Sequence, residues 1–186
     1  MTPFEHLSVL ISIVIGLGIT HLLMSAHRLV QARERVRPYW LSLLWAVLIF
    51  ISQVEWWWAS FSYRQQVEWN FFYFLFILAS PVALFLAAAF VLPELEPDQQ
   101  YDLEEYYFRT RGWFFSILAV SPALDAVRRG IQAGSYTDFG AVSNAVSAVL
   151  LASLAISRQA WYHAMLTLAV AGLFLYFIVS AALQLG

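Results

Sequence analysis

The sequence predicts an all-α integral membrane protein, a small bundle of six transmembrane helices with both termini outside. Hydrophobic residues make up 61% of its 186 residues, charged residues make up 12%, and the mean hydropathy is +0.69. Soluble domains are near half apolar and about a quarter charged, so this composition excludes a soluble globular fold. The long gaps between charged residues approach the roughly 20 residues that cross a bilayer, and they set the number of spans.

The first half of the chain contains three long, aromatic apolar segments. The first lies between Glu5 and Arg28, and it is too long for a signal peptide, so we expect it to be retained as a span. The second is interrupted only by Glu55, and the third is uninterrupted. The predicted spans of this half are residues 7–27, 38–63 and 69–92.

The second half contains two clear spans and one short one. The short fourth segment carries both Pro122 and Asp125, and we expect it to extend a polar helix that begins near Asp102, a suitable N-cap. Residues 94–111 mix six carboxylates with aromatic residues and predict a turn and a helix at the cytoplasmic surface, a solvated connector. The predicted spans of this half are residues 112–128, 139–157 and 160–184.

Arginine sets the predicted orientation, because basic residues in short loops stay on the cytoplasmic side. Seven of the ten arginines lie in the loops after spans one, three and five, and three lie on the opposite side. We therefore expect both termini outside, in a bacterial inner membrane.

The residue types that are missing exclude several classes of chemistry. All ten basic residues are arginine, so no lysine can form a Schiff base. The absence of cysteine excludes disulfides, thiolate nucleophiles and cysteine-ligated metal sites. A net charge of -2 without a basic tract offers nucleic acid no binding surface. The expected partners are the lipid bilayer and either further copies of the chain or another membrane subunit.

One face of the first span carries small and polar residues. Four-residue spacing keeps such residues on one side of a helix, where small side chains let another helix approach closely. Alternatively, the same face lines a narrow aqueous cavity with polar groups at its two mouths. From the outer to the inner end, the face comprises Glu5, Ser8, Ser12, Gly16, Thr20 and His27.

Ionisable and amide side chains inside the spans form a second candidate site. They are costly in hydrocarbon and therefore suggest function by default. Four helices place such residues at similar depths in the outer half of the membrane, although Gln53 and Glu55 point about 160° apart on their own helix. The alternative is that Asp125 only caps a short span and that Glu55 reaches the headgroups. The predicted outer polar cluster comprises Glu5, His6, Gln53, Glu55, Asp125 and Asn144.

The histidines of the inner half raise the question of haem. His21 or His27 paired with His163 has a suitable depth for bis-histidine ligation, but the sequence contains no specific haem motif. A hydrogen-bonded structural histidine or a proton relay is the favoured interpretation. We expect no cofactor and no metal site.

Aromatic residues cluster at both predicted interfaces, where tryptophan and tyrosine anchor membrane proteins. Trp56, Trp57 and Trp58 flank the outer side, and Tyr107 and Trp113 mark the inner side. We interpret these residues as interfacial belts.

Three classes of function remain open. The leading hypothesis is a channel or small-solute pathway along the polar face of the first span. The third span, with Asn70 and Pro81, resembles the corresponding span of six-helix potassium channels of the lysosomal and bacterial type, but the Phe-Ser-Asp-Gly signature of that family is absent from the first span. The alternatives are an assembly subunit of a larger membrane complex and a membrane-embedded enzyme that uses Glu55 with His6.

Overall fold

The computed structural model describes residues 3–65, 70–96 and 99–184 and confirms the all-α class. These residues form seven α-helices, a 3-10 helix and two strands of two residues each. In chain order the elements are α1 (Pro3–Gln31), β1 (Val36–Arg37), α2 (Trp40–Ala59), the 3-10 helix (Ser60–Gln65), α3 (Phe71–Val91), β2 (Tyr101–Asp102), α4 (Leu103–Leu118), α5 (Val120–Ala133), α6 (Phe139–Ile156) and α7 (Ala160–Gln184).

Four helical segments of the described chain are long and apolar enough to cross a membrane. They coincide with the predicted first, second, third and fifth spans, apart from Trp69, which lies outside the described residues. The predicted sixth span coincides with α7. The described apolar part of α7, Ala160–Leu175, is shorter than the four long segments. The four long segments are Phe4–Gln31, Trp40–Arg64, Phe71–Val91 and Phe139–Ile156.

Helix α3 occupies the centre of the bundle and packs against α1, α2, α4 and α5. Its buried face includes Ala83, Ala87 and Ala88, whose small side chains let neighbouring helices approach closely. Helix α6 packs on α4 and α5, and α7 packs on α2 and α6. As a result, α1 and α6 lie at the periphery, and much of each helix surface is exposed.

The predicted fourth segment, residues 112–128, lies across two helices. Helices α4 and α5 meet at Ala119, three residues before Pro122, whose ring removes the N–H that would bond to the carbonyl of Leu118. The predicted N-cap is confirmed, because the Asp102 carboxylate accepts hydrogen bonds from the backbone N–H groups at positions 104 and 105.

A short parallel strand pair joins the loop after α1 to the connector before α4. Val36 pairs with Tyr101, and the Arg37 guanidinium lies 3.0 Å from the Asp102 carboxylate. We call this the strand end of the bundle and the opposite end the far end. Leu103 and Tyr107, in the first turns of α4, are buried, so this part of the predicted connector packs into the bundle.

Candidate functional site

The small-residue face of α1 is exposed and points away from the bundle at Gly16, while Ser12 at its outer part contacts Trp57 of α2. Ser12, Gly16 and Thr20 are exposed, whereas Leu7 and Ile11 on another side of the helix are buried in the core. At Gly16, no other helix of the described chain lies within 4 Å of the place where a Cβ would stand. The close helix contact expected of this face is therefore not made at Gly16 by another helix of the described chain.

The hydroxyl groups along this face already have partners inside the chain. Thr20 donates to the carbonyl of Gly16 at 2.7 Å, and Ser8 donates to the carbonyl of Glu5 at 2.9 Å. Ser12 accepts a hydrogen bond from the Trp57 indole N–H at 3.1 Å. Because these groups need no water, the face can lie against an apolar neighbour without leaving the hydroxyl donors of Thr20 and Ser8 unsatisfied.

The far end brings two of the predicted cluster residues together. Glu55 on α2 and Asp125 on α5 lie close enough for their carboxylates to interact electrostatically. Asp125 also forms a 3.0 Å ion pair with Arg128, and the Arg128 guanidinium lies 5.5 Å from the centre of the Tyr63 ring. Three elements thus contribute to one charged group at this end of the bundle.

The other predicted cluster residues lie elsewhere. Glu5 and His6 are exposed in the first turns of α1, and the Asn144 amide donates to the carbonyl of Gly140 in its own helix at 2.9 Å. Gln53 is fully buried and faces α1 rather than the charged group around Glu55. The structure therefore does not assemble the six predicted residues into one site.

Gln53 forms an unusual contact between α1 and α2. Its amide lies directly against the backbone of Gly18, where an added Cβ would stand only 2.5 Å from Oε1. Neither polar atom of the amide has a hydrogen-bond partner among the described residues. A buried amide without partners is rare, because the loss of its hydration costs about 1 to 3 kcal/mol.

A buried polar network near the strand end joins α2, α4 and α7, and sequence reasoning missed it. His163 Nε2 lies 3.1 Å from the carbonyl oxygen of Ser157, which can only accept, so this nitrogen carries the proton. Nδ1 of the neutral ring then accepts from the Tyr107 hydroxyl at 2.8 Å. One turn further along α7, Thr167 accepts from the Trp45 indole N–H at 2.9 Å.

This network bears directly on the haem hypothesis. Both ring nitrogens of His163 are engaged in hydrogen bonds within the described chain, which agrees with the hydrogen-bonded histidine, structural or proton-relay, that the sequence favoured. His27 is exposed on α1, on a helix that does not pack against α7 within the described chain. The described residues contain no group of three or more histidine, aspartate or glutamate side chains placed to hold a metal ion.

The sequence contained one indication of this network. His163 and Thr167 are four residues apart, so both face the same direction on α7, and both are fully buried. The sequence places Tyr107 in an interfacial belt, because nothing in the sequence shows that α4 begins inside the bundle. Its ring packs edge-to-face on Tyr39 and on Phe115 instead.

A basic hollow opens on the surface of α4 near the strand end. The hollow is shallow and open, its lining residues all come from this helix, and Gly112 contributes no side chain to it. The Arg111 guanidinium is held from Nε by the carbonyl of Ser157 at 2.9 Å, and it also donates to the carbonyl of Phe108. The lining residues are Arg109, Arg111, Gly112, Trp113 and Ser116.

No protein-family model, no curated protein and no solved structure matches the chain.

Proposed function

We propose that the chain is an integral membrane protein, in a bacterial inner membrane, that associates with a second copy of itself through the small-residue face of α1. The membrane assignment is supported by the four long apolar segments, each of at least 18 residues, about 27 Å of helix. Large apolar side chains such as Leu17, Val149 and Ile156 are exposed on the outer helices, as a lipid environment allows. The α4–α5 pair and α7 complete six spans.

The observation that carries the proposal is the outward orientation of Ser12, Gly16 and Thr20. Within the membrane there is no hydrophobic gain from helix contact, so association depends on close packing, which small residues at four-residue spacing provide. The core face of α1 is already used by the bundle. The small-residue face is therefore available to a helix from outside the described chain.

A second copy is the occupant that this face fits best. Two chains inserted with the same orientation can place their α1 helices side by side around a two-fold axis, and each then offers the same small residues to the other. Gly16 lies between Ser12 and Thr20, so the closest approach occurs near the middle of the helix. The hydroxyl donors of Thr20 and Ser8 are already satisfied, so they need no partner from the second copy.

Gly16→Leu tests the contact. Nothing in the described chain occupies the space at Gly16, so the fold should survive while the dimer is lost. Gly172→Leu is the matched control, because Gly172 is also an exposed helical glycine with open space around it. Oligomeric state in bilayers is measured by single-molecule photobleaching, and folding by circular dichroism. A monomeric wild-type protein, or equal loss in both variants, would contradict the proposal.

Single cysteines provide an independent test, because the chain contains no cysteine of its own. Ser12→Cys and Thr20→Cys should form disulfide-linked dimers under mild oxidation in membranes. Leu17→Cys, exposed on another side of the same helix, should form few. Equal cross-linking at all three positions would indicate random collision instead of a specific face.

An ion or proton pathway is the second candidate, favoured by the position of Glu55 and Asp125, whose charge acts on Glu55, at the same end of the bundle. Two acidic groups at one end of a bundle can attract a cation. The polar face of α1 points outward, so such a path would run between copies of the chain, past Ser12, Gly16 and Thr20 toward His27.

Glu55→Gln tests the pathway, since it keeps the side-chain shape and removes the charge. Reconstituted protein is assayed for flux driven by a pH gradient or by voltage, with Glu105→Gln at the strand end as control. We expect flux to fall only in Glu55→Gln. Flux that is absent in the wild type, or identical in both variants, would contradict the pathway. The assembly role would then be the proposal that remains.

A further inference from the structure

The basic hollow on α4 combines the features of a binding site for a phosphate group at a membrane surface. Arg109, Gly112, Trp113 and Ser116 follow one another at spacings of three or four residues, so they share one face of the helix. Arg111 lies about 160° from Arg109 around the helix axis, and both arginines, with Trp113 and Ser116, border the same shallow, open hollow at Gly112. Arginine is well suited to phosphate because its planar group can offer two parallel hydrogen bonds.

Arg111 is held in position in advance of any ligand. Its bonds to the carbonyls of Ser157 and Phe108 use two of the five N–H donors of the guanidinium group. Three N–H donors are left after these two bonds. The same two bonds hold the charged group at the edge of the hollow. Less ordering is then required when an anion binds, which strengthens binding.

Arg109 provides a second charge that is free to adjust. It is exposed, and its guanidinium lies 5.7 Å from the centre of the Tyr106 ring. The acidic residues of α4, Glu104 and Glu105, lie in its first turn, further toward the strand end. Beyond this first turn, Arg109 and Arg111 are the charged residues of α4.

The exposed tryptophan indicates that the ligand belongs to the membrane surface. The Trp113 side chain is 71% exposed, and an indole in this position prefers the headgroup region of a bilayer. Gly112 leaves the floor of the hollow open, since an added Cβ would meet only the carbonyl oxygen of Ala155, at 4.0 Å. An arginine pair beside an interfacial tryptophan fits a lipid phosphate with its acyl chains alongside the helix.

We propose that the hollow formed by Arg109, Arg111, Gly112, Trp113 and Ser116 binds the headgroup phosphate of an anionic phospholipid. The proposal requires the chain to be embedded in a membrane, but it is independent of contact between copies through α1. The phosphate accepts hydrogen bonds from both guanidinium groups and from Ser116, and the ring of Trp113 lies against the glycerol region.

Binding is measured by native mass spectrometry of the purified full chain, titrated with phosphatidylglycerol or with phosphatidylcholine. We expect the wild type to retain phosphatidylglycerol about tenfold better, since a charged hydrogen bond contributes about that factor. Arg109→Gln should remove most of this preference. Gly112→Leu should do the same by filling the hollow, while Gly112→Ala, whose Cβ fits, should stay within about twofold of the wild type.

Arg33→Gln is the control for general electrostatic attraction, because Arg33 is also exposed but lies in the loop after α1. It should leave the preference unchanged. Equal loss in Arg33→Gln and Arg109→Gln would overturn the proposal in favour of a diffuse surface potential. Displacement of the lipid by inorganic phosphate at equal concentration would overturn it in favour of a small-anion site. No preference for phosphatidylglycerol in the wild type would also overturn it, whatever the oligomeric state.

Discussion

Glycines two residues apart on α1 have opposite roles. Gly18 faces the bundle and makes room for the buried Gln53 amide, whereas Gly16 faces outward into open space. Both were residues of the same apolar segment in the sequence, and only their neighbours distinguish them. The contact at Gly18 brings α1 and α2 close together near the middle of α1.

Gly18→Ala should destabilise the protein by about 1 to 3 kcal/mol, because its Cβ would stand 2.5 Å from Gln53 Oε1 and force the amide to move. Gly16→Ala should be neutral or slightly stabilising, since alanine favours the helix by up to about 1 kcal/mol. The free energy of unfolding in detergent micelles distinguishes the two variants. Equal effects would contradict the assigned orientation of α1.

Tyr107→Phe should cost about 1 to 3 kcal/mol of unfolding free energy, because it leaves His163 Nδ1 buried without a donor. The matched control is Tyr136→Phe, which removes the same hydroxyl from an exposed ring. The measurement is chemical denaturation of both variants under one set of conditions. If Tyr107→Phe were as stable as the control, the network would not hold α4 against α7.

At the scale of elements, the start of α4 is fixed by a cap and by the strand pair. Asp102 caps the helix, and its carboxylate also pairs with Arg37 across the two strands. Hydrogen bonds from the backbone N–H of Glu105 and then of Glu104, together with the charge of Arg37, lower the pKa of Asp102 below its usual value of 3.8. The charged form of Asp102 is therefore favoured in the folded state.

A lowered pKa makes this contribution depend on pH. The stabilisation is fully present above the usual pKa near 3.8 and is lost as the pH falls through the lower folded value. Asp102→Asn keeps a cap acceptor but cannot titrate. We expect the thermal midpoint of the wild type to exceed that of Asp102→Asn at pH 6 and to approach it at pH 3. A constant difference would show that the charge is irrelevant, and Asp102→Ala should be the least stable variant at pH 6.

At the scale of the whole molecule, the predicted orientation in a membrane rests on the distribution of arginine. The bundle places Arg37, Arg109, Arg111 and Arg158 toward the strand end and Arg64 and Arg128 toward the far end. This distribution is consistent with a cytoplasmic strand end under the positive-inside rule. The orientation remains a prediction.

Reporter fusions to the C-terminus test the topology. Alkaline phosphatase, which is active only outside the cytoplasm, should be active in the fusion, and a fluorescent protein that folds only in the cytoplasm should be dark. With the N-terminus outside, the opposite pattern would place the C-terminus inside and reduce the number of crossings by one, most simply at the α4–α5 pair with its break at Ala119.

The sequence by itself determined the helical class, the approximate helix bounds and the cap at Asp102. These features are local, since they depend on apolar length, on proline and on one side chain bonding to its own backbone. Only the tertiary structure decided which side of each helix faces inward, as it did for the small-residue face of α1, for Gln53 and for the network around His163. In a membrane the outer surface of a helix is as apolar as its core-facing surface, so hydrophobicity gives no direction, and packing and hydrogen bonding between distant segments must set it.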